Sequence, residues 1–145
     1  MTEVEFHTGV ADPIGFACRL LRKAARQGVA VQVTAAPESL DALDRGLWCF
    51  EERDFVPHVR MPGARADVAR RTPIWLARAA LDSGAPRVLV NLDAAAPTDL
   101  AALDRLIEIV AAEPEAAAAG RERWRFYKSR GLSIKHHIER GATGG

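Results

Sequence analysis

Val4 and Phe6 alternate with polar neighbours in the opening stretch "EVEFHTGV", the period-two pattern of a half-buried strand. Asp12-Pro13 then supplies an N-cap residue followed by the proline favoured at the first helical position. Beyond it Ala17, Leu20, Leu21 and Ala24 recur at i, i+3, i+4, i+7, while Arg19, Arg22, Lys23 and Arg26 lie off that stripe. Gly28 ends this first helix as a C′ glycine would. "VAVQVTA" predicts a second strand, and Pro37 opens a second helix with Leu40, Leu43 and Leu47 on its apolar side.

The pattern is lost in "WCFEERDFVPHVRMPGARADVARRTP", which holds three prolines and predicts a long excursion containing a short strand. "PIWLAR" and "PRVLVNLDA" then predict two more strands, the second nearly all apolar, as a strand covered on both faces is. Thr98 is placed to cap a following helix whose stripe is Leu100, Leu103, Ile107 and Val110. "AAEPEAAAAG", with Pro114, predicts a break and then the start of a terminal helix. The alternation of strands and helices implies a three-layer α/β/α fold around a mainly parallel central sheet. One domain is expected over residues 1–141, followed by a flexible tail over 142–145.

Composition changes this picture little: 48% hydrophobic residues in 145 is enough for one core. The N-terminus lacks the basic and apolar regions of a signal peptide, and no apolar run is long enough for a bilayer, so the expected compartment is the cytoplasm. Cys18 and Cys49 share no metal-like spacing and are expected to be reduced thiols inside helical patterns. Charge is more informative. Residues 121–140 carry seven basic and two acidic side chains, a net +5, whereas the whole chain is +1. Such polarity offers one end of the chain to an oppositely charged partner.

Catalytic motifs do not appear. There is no G-x-x-x-x-G-K-[ST], and no G-x-G-x-x-G follows a strand, so no phosphate-binding loop is expected. His7, His58, His136 and His137 sit in no H-E-x-x-H, no G-x-S-x-G accompanies them, and Glu51, Glu52 and Asp54 form a charge run suited to a solvated face. No catalytic residue, metal site or cofactor is expected.

Interaction chemistry is concentrated in two stretches. In "LWCFEERDFVPH", Trp48, Phe50 and Phe55 lie within eight positions of irregular sequence. Phe50 suits the edge of the core, whereas Trp48 and Phe55 suit a protein interface, where aromatics supply large apolar area at low entropy cost. In "RERWRFYKSRG", Arg121, Arg125 and Lys128 fall on one helical face at i, i+4, i+7, beside Trp124 and Tyr127, and Gly131 ends the helix. Three readings stand for this stretch. The rings are core anchors and the arginines a solvated face; or, with the apolar stripe ending near Val110, they rim a pocket for an acidic peptide ending in an apolar residue; or bases stack on Trp124 with phosphates on the arginines.

The order of "LW" six residues ahead of "FVPH", with "RERWRFYKSRG" near the C-terminus and the "FHTG" and "RVLVNL" strands, resembles the chi subunit family of the bacterial DNA polymerase III holoenzyme over essentially the full length. That resemblance implies a nucleotide-binding-like fold without a phosphate-binding loop, and a non-enzymatic role as a replisome adaptor. It implies two partners: the psi subunit of the clamp loader and the acidic C-terminal tail of single-stranded DNA-binding protein, which ends in proline-phenylalanine. The family's psi-contacting aromatics correspond to Trp48 and Phe55, with Val56, Pro57 and His58 adjoining. Its tail site corresponds to Val110, Arg121, Trp124, Arg125 and Lys128. A helicase-like protein is a further candidate for the Trp48–Phe55 surface. DNA contact is expected to be indirect, and the chain is expected to be a monomer or a heterodimer with psi at the replication fork. The alternative function is a direct single-stranded nucleic-acid-binding module using the terminal helix. After Gly131 the ending "LSIKHHIERGATGG" departs from the family pattern.

Overall fold

The computed structural model describes residues 2–49, 56–81 and 84–139. Seven strands, β1 (Glu3–Val10), β2 (Val31–Thr34), β3 (His58–Arg60), β4 (Ile74–Ala77), β5 (Val88–Asn91), β6 (Arg105–Ala111) and β7 (Ile134–Ile138), form one sheet in the order β3-β4-β2-β5-β6-β1-β7. Every pairing is parallel. The helices are α1 (Pro13–Arg26), α2 (Pro37–Cys49), α3 (Ala66–Arg71) and α4 (Pro114–Ser129). Parallel strands need crossovers, and the crossovers cover the faces. One face carries Val33, Leu76 and Ile107 against Leu21, Leu40 and Leu43 of α1 and α2. On the other, Phe6, Leu89 and Leu106 pack with Tyr127 of α4. β2 and β4 are buried at every position, the consequence of cover on both sides.

Local signals account for most of these boundaries. Asp12 caps α1, its Oδ1 accepting from the Gly15 N–H at 3.0 Å, and Gly28 takes the left-handed conformation that ends the helix region (φ 72). The segment that the apolar spacing assigns to a helix from Thr98 is different: a 3₁₀ turn over Leu100–Ala102 runs into β6. Leu106 to Val110 are all buried because β6 lies between β5 and β1 with helices above and below. In such a strand both faces are buried and, Glu108 aside, apolar, so a 3–4 spacing coincides with a nearly continuous run. The β-branched Ile107, Ile109 and Val110 favour the extended form.

Three other elements depart from the sequence expectation. The excursion after α2 contains α3 as well as its short strand. The ending after Gly131 returns to the sheet as the edge strand β7, paired with β1 from Val4–Ile134 to Thr8–Ile138. Val56, expected beside an interface, is buried in the core with Leu40, Leu43 and Leu47, so its side chain does not reach the surface. Cys18 is buried, and burial pushes its thiol pKa up; the side chain of Cys49, Phe50, Phe55 and the 142–145 tail lie outside the described residues.

Candidate protein-interaction site

The carboxyl edge of a parallel sheet is where α/β proteins hold ligands, and here the N-termini of α1 and α2 at that edge are already occupied. Asp12 caps α1 as described. Asp93, just beyond β5, accepts from the Ala36 N–H at 2.7 Å and from the Ser39 hydroxyl at 2.7 Å at the start of α2. Internal carboxylates therefore sit where an incoming phosphate would be received.

Below this edge lies a buried polar network. Glu108 of β6 is fully buried; its Oε1 accepts from Arg123 Nε at 2.9 Å and its Oε2 from the Tyr127 hydroxyl at 2.5 Å. Asn91 Nδ2 donates to both carboxylate oxygens, at 3.2 and 3.0 Å, and the Thr34 hydroxyl donates to Asn91 Oδ1 at 2.9 Å. Burial raises the Glu108 pKa, against the Arg123 charge and the hydrogen bonds that lower it. Burial also raises the Tyr127 pKa, with the adjacent carboxylate acting in the same direction. This network fixes the rotation of α4 about its axis. Arg123 and Tyr127 are turned inward, which leaves Arg121 and Arg125 outward and exposed.

Beside α4 a cleft of about 530 Å³ opens between that helix and the ends of β1, β6 and β7. Val110 forms part of its floor, and Gly120 lets the helix approach closely there. A Cβ on Gly120 would sit 2.7 Å from Val110 Cγ1, so glycine is required by contact rather than by conformation. Trp124 makes one wall, packed edge-on against Phe6 with centroids 4.9 Å apart. His136 of β7 makes another: its Nε2 lies 2.7 Å from the Thr8 hydroxyl and its ring 5.1 Å from Trp124. Arg121 and Arg125 line the same cleft. Arg125 pairs with Glu122 in an exposed ion pair, whereas Arg121 has no carboxylate partner among the described residues. The lining is thus mainly apolar, with two guanidinium groups and an imidazole among it.

The structure brings Val110, Arg121, Trp124 and Arg125 together in this cleft. Lys128 is exposed on α4 and lies outside the lining, one turn past Trp124. Tyr127 is a core anchor with no surface exposure. Sequence reasoning missed His136 and Gly120. Ile134, His136 and Ile138 alternate in a way that marks a strand, and a glycine inside an alanine-rich helix marks a close approach.

At the opposite end of the sheet, Trp48 on the last turn of α2 is 61% exposed. Its ring meets His58 edge-on at 6.1 Å. His58 is itself held, Nδ1 2.7 Å from the Val56 carbonyl and Nε2 2.6 Å from Asp44 Oδ1. Pro57 is exposed beside it, while the His58 side chain is almost wholly covered. Among the described residues no group of three or more His, Cys, Asp or Glu side chains is arranged to hold a metal ion. No described helix is long and apolar enough to cross a membrane.

Comparison with known proteins places this architecture. Residues 1–135 match the family described as DNA polymerase III chi subunit, HolC. A protein from Pseudomonas aeruginosa named DNA polymerase III subunit chi is 33% identical over 142 residues, covering 94% of this chain and 96% of that relative. With this sequence agreement over nearly its whole length, the chain belongs to the DNA polymerase III chi subunit family.

Proposed function

We propose that this chain is a non-catalytic replisome adaptor. It links the clamp loader, through psi, to single-stranded DNA-binding protein by holding that protein's acidic C-terminal tail. The observation that carries the tail assignment is the largely apolar cleft floored by Val110 and walled by Trp124, lined also by Arg121, which pairs with no carboxylate among the described residues. A phenylalanine ring fits the apolar part and its α-carboxylate suits a guanidinium, which binds carboxylates through a planar fork of donors. The acidic residues ahead of it are favoured by the excess positive charge of α4. Trp48 and Pro57, exposed at the far end of the sheet, are the described residues proposed to meet psi, with Phe55 beside them in sequence. His58 positions the Trp48 ring from below. The two sites draw on different ends of the sheet, as an adaptor requires.

Calorimetry of the full chain against an acidic peptide ending in Pro-Phe tests this directly. Binding is expected at low salt and should be weakened by amidating the peptide's C-terminus. A peptide that fails to bind, or binds equally well when amidated, rules out the tail-carboxylate assignment. Tight binding of bare oligonucleotide at the same cleft would replace it with the nucleic-acid reading of α4.

A further inference from the structure

The outward side of α1 carries an unusual charge distribution. Four of its fourteen residues are basic and none is acidic. Arg19, Lys23 and Arg26 are exposed, recur at i, i+4, i+7 and pair with no carboxylate among the described residues. The last two complement the helix C-terminus, but Arg19 stands mid-helix, outside the reach of that effect. Between this row and the sheet runs a groove of about 490 Å³ that Arg19, Lys23 and Arg105 line. Its carboxylate, Glu5, is engaged with Arg105 at 2.7 Å and lies 3.7 Å from His137 Nε2.

A row of rings borders the same groove. Phe16 lies 5.1 Å from His7, and His7 stacks on His137 at 4.7 Å with planes 12° apart. Glu139 holds His7 in that position, its Oε2 3.0 Å from Nδ1. His137 is on the edge strand β7, its side chain 40% exposed, so the row ends at the open side of the sheet. Cations one helical turn apart follow a chain of phosphates, and planar rings accept bases of any sequence. An acidic peptide would use the charges, but it carries no planar base at each step to match a ring beside a row of cations. His7 and His137 face the α1 side of the sheet, and His136, their neighbour, lines the Val110 cleft on the other. The two sites are therefore separate.

We propose that the groove between α1 and the β1–β7 edge is a contact for single-stranded nucleic acid, with Arg19, Lys23 and Arg26 on phosphates and the exposed His137 ring, backed by His7 and Phe16, as the stacking surface. The contact is electrostatic in its main part and independent of base sequence. It would let the chain touch exposed strand while the opposite face holds a protein tail.

Fluorescence anisotropy of a dye-labelled short oligothymidylate against the full chain tests this. Binding is expected at low salt. Combining Arg19→Glu with Lys23→Glu should weaken it at least tenfold and flatten the log–log salt dependence by about 0.7 per phosphate contact removed. Tail-peptide affinity measured on the same variant should be unchanged, which reports an intact fold. Should that variant fail to fold, Arg19→Gln with Lys23→Gln gives the same readout with a smaller loss. An abasic oligomer of equal length should bind more weakly than oligothymidylate. The proposal is overturned by no oligonucleotide binding at low salt, by unchanged affinity in the charge variants, by equal affinity for the abasic oligomer, or by loss of binding on Arg121→Ala instead.

Discussion

Arg123 Nε lies 2.9 Å from Glu108 Oε1, and both side chains are withdrawn from water, the carboxylate completely. An ion pair so placed sets geometry more than it adds stability, because desolvation offsets most of the attraction. Removing one partner is a different matter. Arg123→Met leaves a buried carboxylate without its counter-charge and should cost about 3–5 kcal/mol in denaturant unfolding. Adding Glu108→Gln keeps an acceptor for Tyr127 and Asn91 while removing the charge, so the double variant should recover part of that loss. The deficit of Arg123→Met should also shrink in acid. Burial raises the Glu108 pKa, so the folded state takes up the proton before the unfolded chain does, and the penalty for the charged form fades as pH falls.

Gly120→Ala tests the close approach of α4 to β6. Helix propensity alone would favour alanine by about 1 kcal/mol. The added methyl would meet Val110 at 2.7–2.9 Å, so net destabilisation of roughly 1–3 kcal/mol is expected, together with weaker tail-peptide binding from a narrowed cleft. Val110→Ala in the same chain should relieve the clash. Stability that fails to recover in the double variant would place the strain elsewhere.

Arg121→Ala should reduce tail-peptide affinity about tenfold or more, the loss of a charge-assisted hydrogen bond worth roughly 1.5–3 kcal/mol. Peptide amidation should cost a similar amount, and the two changes together less than their sum. Calorimetry at two salt concentrations checks both the coupling and the screening expected of an exposed charge.

Trp48→Ala is expected to change stability by no more than about 0.5 kcal/mol, since the ring is mostly exposed. Affinity for psi should fall by about 2 kcal/mol, the range of an aromatic hot spot, with tail-peptide affinity unaffected. A stability loss equal to the affinity loss would make Trp48 a packing residue.

Glu5 gives a pH signature. Burial alone would raise its pKa, but the hydrogen bond and charge of Arg105, with His7 and His137, outweigh it and hold the carboxyl below its ordinary value of 4.5. A depressed pKa contributes stability above the unfolded value and loses it as pH falls through the folded one. The stability difference between the parent chain and Arg105→Gln should therefore be constant near neutrality and vanish in acid. A difference that persists at low pH would attribute it to Arg105 packing.

Much of the fold was legible because local chemistry specifies it. Asp12-Pro13 and Gly28 delimit α1, the apolar run "VLV" ahead of Asn91 marks a strand covered twice, and "RERWRFYKSRG" with Gly131 outlines the last helix. The two stretches proposed for interaction stood out for the same reason, since aromatics and arginines are conspicuous in otherwise ordinary sequence. Other features were decided only by packing. β6 reads as a helix until β1 and β5 close on both its edges, because a strand buried on two faces has no period of its own. β7 gains meaning only beside β1, where His136 turns to one face and His137 to the other. Arg123 looks like its neighbours in sequence, yet Glu108, fifteen residues earlier, draws it into the core and so decides which arginines remain outside. Sequence by itself determined the class of fold and the residue types available for recognition. Tertiary structure decided which of those residues share a cleft, because that depends on the rotation of α4 and on a strand pairing more than a hundred residues apart in the chain.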